Sequence, residues 1–124
     1  DWLFGCNPWG TSMIVELPLH GDYPSQPHSS YLNAGRGNTT GGLVDGPVYF
    51  NIFKHLEGVN MEGIPNKPGD DYARFQPDLM VYHDAIGDYS TNEPTMDGTA
   101  CLTYYLSSME SDGAKQAAAA SKKK

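Results

Sequence analysis

Tyr82-His83-Asp84-Ala85-Ile86-Gly87-Asp88-Tyr89-Ser90-Thr91-Asn92-Glu93-Pro94-Thr95-Met96-Asp97 is the stretch on which the reading of this chain turns. It gathers four carboxylates, Asp84, Asp88, Glu93 and Asp97, with two tyrosines. Glycoside cleavage needs one carboxylic acid to protonate the leaving oxygen and one carboxylate to activate water or attack the sugar. Aromatic neighbours suit sugars, whose C–H faces pack on rings. An acidic loop equally fits a solvated or calcium-binding surface, although the oxygen ligands miss the spacing of an EF-hand loop and no glutamate closes one. Composition alone leaves these readings open.

Working outward, the segment after it predicts a helix from about Asp97, with Leu102, Leu106 and Met109 on one face and Cys101 and Tyr105 beside them. Upstream, Asp45-Gly46-Pro47 predicts a helix start, because proline at the first helical position has no amide hydrogen to lose. Val48, Ile52 and Leu56 form its apolar stripe and Gly58 ends it. Both stripes are expected in the core. Residues 1–10 read as the end of a helix entering a Gly/Pro turn. Between Gly10 and Gly46 the chain is dense in Gly, Pro, Asn, Ser and Thr, with Met13-Ile14-Val15 as a short strand candidate. A loop of that length with Tyr23, His28 and Tyr31 is expected to be a functional surface.

The chain has 124 residues, 14 glycines, 9 prolines and a net charge of −7. At this length folding buries roughly two-thirds of the unfolded surface, enough for one modest core and not for a two-domain enzyme. Only eight Lys and Arg are present, three of them at the end, so nucleic acid is not the expected partner. An uncharged substrate is. No apolar run reaches the ~20 residues of a membrane span and no charged-then-apolar leader opens the chain, so no membrane partner is expected either. Cys6 and Cys101 lack metal-ligand spacing and are expected as small core residues; no metal site is expected from them. The sequon Asn38-Thr39-Thr40 decides nothing.

Tyr82-x-Asp84, four residues, Tyr89, three residues, Glu93-x-Thr95 and then Ala100 closely resembles the C-terminal signature of family nine glycoside hydrolases, the inverting endoglucanases of cellulose breakdown. Gly5-Cys6-Asn7-Pro8-Trp9-Gly10 is similar to the family's Gly-x-Asn-Pro-x-Gly segment, Pro27-His28 to the start of its Pro-His-His-Arg motif, and Gly41-Gly42-Leu43-Val44-Asp45-Gly46-Pro47 to the segment that follows. The resemblance spans residues 3 to 110. It implies that Glu93 is the general acid, which must enter the cycle protonated. Asp84 and Asp88 would supply negative charge beside it. Tyr89 and His28 would contact sugar, and Trp9 reads either as a sugar contact or as a buried anchor.

Three departures qualify the match. Ser29-Ser30 replaces the second histidine and the arginine of the substrate motif, leaving Arg36 as a candidate cation for that subsite. Thr99 stands where the signature has asparagine. The family's Asp-x-Gly-Asp base motif is absent from this chain. An inverting pair stands roughly 6.5 to 9.5 Å apart with a water between. Asp88 and Glu93 are five residues apart, which allows about 7.5 Å in a helix and up to about 17 Å extended, so Asp88 and Asp84 both stay open as a surrogate base.

The resulting expectation is a mainly α chain with long irregular loops, the C-terminal segment of a partial (α/α)6 barrel. Residues 1–112 would form the C-terminal portion of the catalytic domain and 113–124 a low-complexity tail. The implied activity is inverting endo-β-1,4-glucanase action on cellulose or soluble β-1,4-glucan, with a non-catalytic glucan-binding fragment as the alternative. No cofactor is expected beyond a structural calcium in the acidic loop. The expected partner protein is the N-terminal remainder of the same domain, and the insoluble substrate implies secretion.

Overall fold

In a computed structural model of the chain, the described residues are 1–28, 39–51 and 72–122. Their named elements are β1 (Val48–Tyr49), β2 (Met80–Val81), a 3-10 turn at Ala73–Phe75 between them, and one long helix, α1 (Met96–Ser121). β1 and β2 pair antiparallel, Val48 opposite Val81 and Tyr49 opposite Met80.

Most of the organisation lies outside these elements, in short extended segments joined by single bridges. Phe4 bridges Ser12, Ile14 bridges Leu43, and Val44 bridges Pro94, all antiparallel. The backbone bonds follow the same order. Met13 N–H donates to Leu3 O (2.9 Å), Val44 N–H to Met13 O (3.0 Å) and Asp45 N–H to Glu93 O (3.0 Å). Residues 3–4, 12–15, 42–46 and 91–95 thus lie side by side as an irregular ladder. Its turns are written in the sequence. Asn7 donates from Nδ2 to Trp2 O and Thr11 O and accepts the Trp9 N–H on Oδ1, closing the 2–11 loop on one side chain. Gly42 passes so close to the next segment that a Cβ there would stand 2.9 Å from Pro94 Cβ and 2.9 Å from Thr39 O.

The core is built on this ladder. Trp9, Met13, Val15, Val44, Tyr72 and Tyr82 are buried together, with Leu3 and Leu43 packed against them. Each such side chain contributes about 1.5–3 kcal/mol when fully buried. Tyr82 is central: its ring meets Trp9 edge-on at 6.2 Å and Tyr72 at 5.5 Å.

The expected mainly α architecture and partial (α/α)6 barrel are therefore corrected. The described residues form one long helix, a two-stranded sheet and paired loops. The apolar residues of 12–15 and 42–44 pair across the ladder instead. The N-terminal helix end is a turn with a bridge at Phe4. The helix expected from Pro47 starts later: Val48 and Tyr49 pair with β2, Phe50 and Asn51 are helical, and the continuation at Ile52, Phe53 and Leu56 lies outside the described residues.

The helix expected near Asp97 is present as α1, but only Leu102 of its stripe is buried, while Tyr105, Leu106 and Met109 are exposed. No described segment covers that face beyond its first turns. α1 also runs through residue 113 without a break. Cys6 and Cys101, expected in the core, are both exposed free thiols. No helix among the described residues is long and apolar enough to cross a membrane.

Candidate active site

The loop from Tyr82 to Thr95 has neither helix nor strand, and its shape is set by its own polar side chains. Asp88 acts as the inner knot. Its Oδ1 accepts from Ser90 N–H (2.8 Å), Ser90 Oγ (2.6 Å) and Thr91 N–H (3.1 Å), and its Oδ2 accepts from Thr91 Oγ1 (2.8 Å), with His83 Nδ1 at 3.5 Å. Burial alone would raise its pKa, but the bonds from His83, Ser90 and Thr91 outweigh that and hold the carboxyl below the usual aspartate value.

Asp84 is the outer clasp. Its Oδ2 accepts from Ser25 N–H (2.8 Å) and Ser25 Oγ (3.0 Å), and its Oδ1 from Gln26 N–H (3.0 Å) and Asn92 Nδ2 (2.8 Å). The carboxylate therefore binds the segment leading to Pro27-His28 onto the residue that precedes Glu93. His28 continues the join: its N–H donates to Asn92 O (2.9 Å), and its Nδ1 stands 2.8 Å from Ile86 O. A carbonyl only accepts, so Nδ1 carries the hydrogen, and in the neutral ring Nε2 is left as an acceptor. The His28 ring meets Tyr89 edge-on at 6.0 Å.

Asn92 connects this surface to the core. It is fully buried, its Oδ1 accepts from the Tyr82 hydroxyl (2.9 Å), and its Nδ2 also donates to Gln26 O (2.8 Å). Burial pushes the Tyr82 hydroxyl pKa well up, so it stays protonated as a donor. The backbone at residue 92 is thus held from three sides. Thr91, also fully buried, accepts from His83 N–H and donates to His83 O (both 3.1 Å), pinching the loop across its base.

Glu93 sits half-buried at the end of this frame, and no described residue donates a hydrogen bond to its carboxyl. Its backbone is fixed instead, because Glu93 O accepts from Asp45 N–H. Beyond it, Thr99 accepts the Leu43 N–H (3.0 Å) and donates to Thr95 O (2.7 Å), so the threonine at this signature position ties the start of α1 to the ladder.

The structure thus brings Asp84, Asp88, His28 and Tyr89 around the backbone that carries Glu93. Trp9 stands apart. It is 4% exposed, with its ring in the core and its indole N–H donating to Gln76 Oε1 (2.6 Å). Arg36 lies outside the described residues. Ser25, Gln26, Thr91, Asn92 and Asp45 also build the site, and only their closeness to the motifs in sequence signalled them. A groove of about 480 Å³ opens on the far flank, between Thr39–Gly42 and the first turns of α1. None of the candidate site residues lines it. Among the described residues, no group of three or more His, Cys, Asp or Glu side chains is arranged to hold a metal ion.

The family model described as glycosyl hydrolase family 9 matches residues 1–106. The chain belongs to glycosyl hydrolase family 9. The match runs from the Asn7 turn through the Glu93 loop and into α1, so every described segment of the site falls within it. Family 9 membership makes the protein one of the glycoside hydrolase kind. No curated protein and no solved structure matches the chain.

Proposed function

We propose that this family 9 chain acts on β-1,4-glucan, with Glu93 as the general acid that protonates the glycosidic oxygen and His28 and Tyr89 as sugar contacts. The observation that carries the reading is the join between the His28 segment and the acid loop. Asp84, Asn92 and the His28 amide join the imidazole to the residue that precedes the glutamate, with the Tyr89 ring edge-on to it, which suits a groove that binds sugar hydroxyls beside a proton donor. Unlike Asp84 and Asp88, Glu93 has a carboxyl free of donors among the described residues, so it can turn to a substrate oxygen.

Both oxygens of Asp84 and of Asp88 are already engaged, which favours a scaffolding role for these two over activation of water. Under this reading the water-activating carboxylate comes from elsewhere, and the remainder of the domain is the partner that would bring it. Action on an insoluble polymer implies an extracellular enzyme.

The test is release of reducing sugar from carboxymethylcellulose by the purified chain supplied with the remainder of its catalytic domain. Glu93→Gln is expected to lower the rate by at least 10²-fold, the lower end of what general acid catalysis contributes. An unchanged rate would remove Glu93 from the chemistry. The saturated state of Asp84 and Asp88 supports a second reading, glucan binding without cleavage. Retention of cello-oligosaccharide with no turnover, lost in His28→Ala, would establish it.

A further inference from the structure

Residues 90–92 are the three positions that the acid-loop signature leaves open, and one of them, Asn92, is fully buried. An amide side chain has two N–H hydrogens to give and an oxygen to receive. Here both hydrogens and the oxygen are engaged. Nδ2 donates to Gln26 O and to Asp84 Oδ1 (both 2.8 Å), and Oδ1 accepts from the Tyr82 hydroxyl (2.9 Å). Turning the amide over would set its oxygen against a carbonyl and a carboxylate, so the neighbours fix its orientation. They also fix its identity. An ionised aspartate has the same shape but no hydrogens for Gln26 O and Asp84, and a leucine would strip a partner from all three groups.

The groups joined at Asn92 belong to different parts of the molecule. Tyr82 is fully buried and packs against Trp9 and Tyr72 in the core. Gln26 lies in the segment that leads to His28, and the Asn92 backbone carbonyl takes the His28 N–H (2.9 Å). Asp84 clasps the same segment through Ser25 and Gln26. Glu93 follows directly in the chain. The buried side chains of Ser12 and Thr91, by contrast, bond neighbours within the ladder and within the loop. A buried amide whose hydrogens and oxygen are all engaged ties its partners into one network, so loosening its core side removes the reference of its surface side.

We propose that Asn92 is a positioning residue, whose side-chain amide registers the His28 segment and the Glu93 backbone to the aromatic core through the Tyr82 hydroxyl. The inference rests on the roles given to His28 and Glu93 above and deepens that reading by naming what holds the two together. The core, and not the loop alone, then sets where the sugar contact and the acid stand.

Tyr82→Phe removes one hydroxyl and keeps the ring. The deciding measurement is amide hydrogen exchange by NMR in the full chain, in Tyr82→Phe and in Val15→Ala, which trims the same core without removing any of these hydrogen bonds. In Tyr82→Phe the His28 amide is expected to speed up at least about tenfold more than the Met13 and Val44 amides, which donate within the ladder. In Val15→Ala the Met13 and Val44 amides are expected to speed up at least as much as that of His28. One common factor for all three amides in Tyr82→Phe overturns the proposal, because the hydroxyl would then act on stability alone. A His28 excess of the same size in Val15→Ala overturns it too, because any loss of core packing would suffice. Asn92→Asp, which keeps the shape and loses both hydrogens, is expected to reproduce the excess; exchange like that of the parent would show that shape does the holding.

Sugar binding supplies the functional readout. With the proteins folded, Tyr82→Phe is expected to weaken cellotetraose binding at least about threefold, and Val15→Ala to leave it unchanged. Equal weakening in the two would contradict a positioning role. A parent chain that binds no cellotetraose counts against the sugar reading above, and the exchange result, which needs no sugar, still decides this one.

Discussion

Residues 82–95 have no regular secondary structure, yet Tyr82, Ala85, Thr91 and Asn92 are buried and the carboxylates of Asp84 and Asp88 are tied to neighbours at both oxygens. From Met96 to Ser121 the chain is one unbroken helix, and only Leu102 on it is buried. The two stretches adjoin in sequence and are held in opposite ways: the loop by side chains reaching across the molecule, the helix by its own backbone. Rigidity at the candidate site thus comes from polar contacts over long sequence separation, and regularity is a poor guide to where the protein is firmly organised.

The sharpest way to break this contrast is Asp84→Ala. The substitution removes the acceptor of four hydrogen bonds, which join residues 25–26 to residue 92. Hydrogen bonds to a charged group contribute about 1.5–3 kcal/mol each in favourable cases and are not additive, so a loss of about 2–4 kcal/mol in urea unfolding is expected. Tyr104→Ala on the helix, where the ring is 78% exposed, is the matched control. It should stay within about 0.5 kcal/mol of the parent. Equal losses from the two variants would show that the helix face is covered in solution and that the contrast is not real.

An acid titration sharpens the contrast within the loop. Asp88 has a lowered pKa in the folded state, so the unfolded chain binds its proton more readily. Its contribution to stability is complete above the unfolded value near 3.8 and is lost as pH falls through the lower folded value. Asp45 has the opposite sign: with a raised folded pKa, it lowers stability as pH rises from 3.8 to the folded value. The windows lie on either side of 3.8, so they separate. Urea midpoints measured against pH should fall on acidification below about 4. Asp88→Asn should flatten that fall while leaving the less acidic side unchanged. A parallel displacement of the whole curve would mean that the knot does not depend on charge.

What could be read from the sequence follows the same division. The first half of α1 was legible because its start carries helical spacing with no proline, while its run past Gly113 was not, since that stretch reads as a low-complexity tail. The loop was legible as chemistry, through the spacing of Asp84, Tyr89 and Glu93, and not as structure. Two of the partners of Asp84, Ser25 and Gln26, are 59 and 58 residues away, and no local pattern announces a bond from either. The ladder was missed for a related reason. Its segments are too short for a period of two to show, and their Gly and Pro content reads as punctuation. The stripe of α1 was read as core because spacing shows which residues share a face and is silent on whether anything covers it. Trp9 shows the converse: an aromatic after a Gly/Pro turn looks the same in sequence whether it meets a sugar or, as here, Tyr82 and Gln76.

The smallest expected effect tests the helix side of the comparison. Gly113 lies inside α1, and a Cβ placed there would meet no atom within 4 Å. Glycine in an exposed helix interior costs about 0.5–1 kcal/mol relative to alanine, through the backbone freedom it gives up. Gly113→Ala should therefore raise the helical signal in far-ultraviolet circular dichroism. A helix whose far half packs on no described residue can fray without the core, so the gain should stay local. The near-ultraviolet unfolding midpoint of the Trp9 and Tyr82 cluster should not move. If that midpoint rises with the helical signal, the two stretches unfold together and the far half of α1 is coupled to the site through contacts beyond Leu102. If only the helical signal rises, the firm, irregular loop and the regular, exposed helix are separate cooperative units, and Glu93 owes its placement to the ladder and the Asp84 clasp.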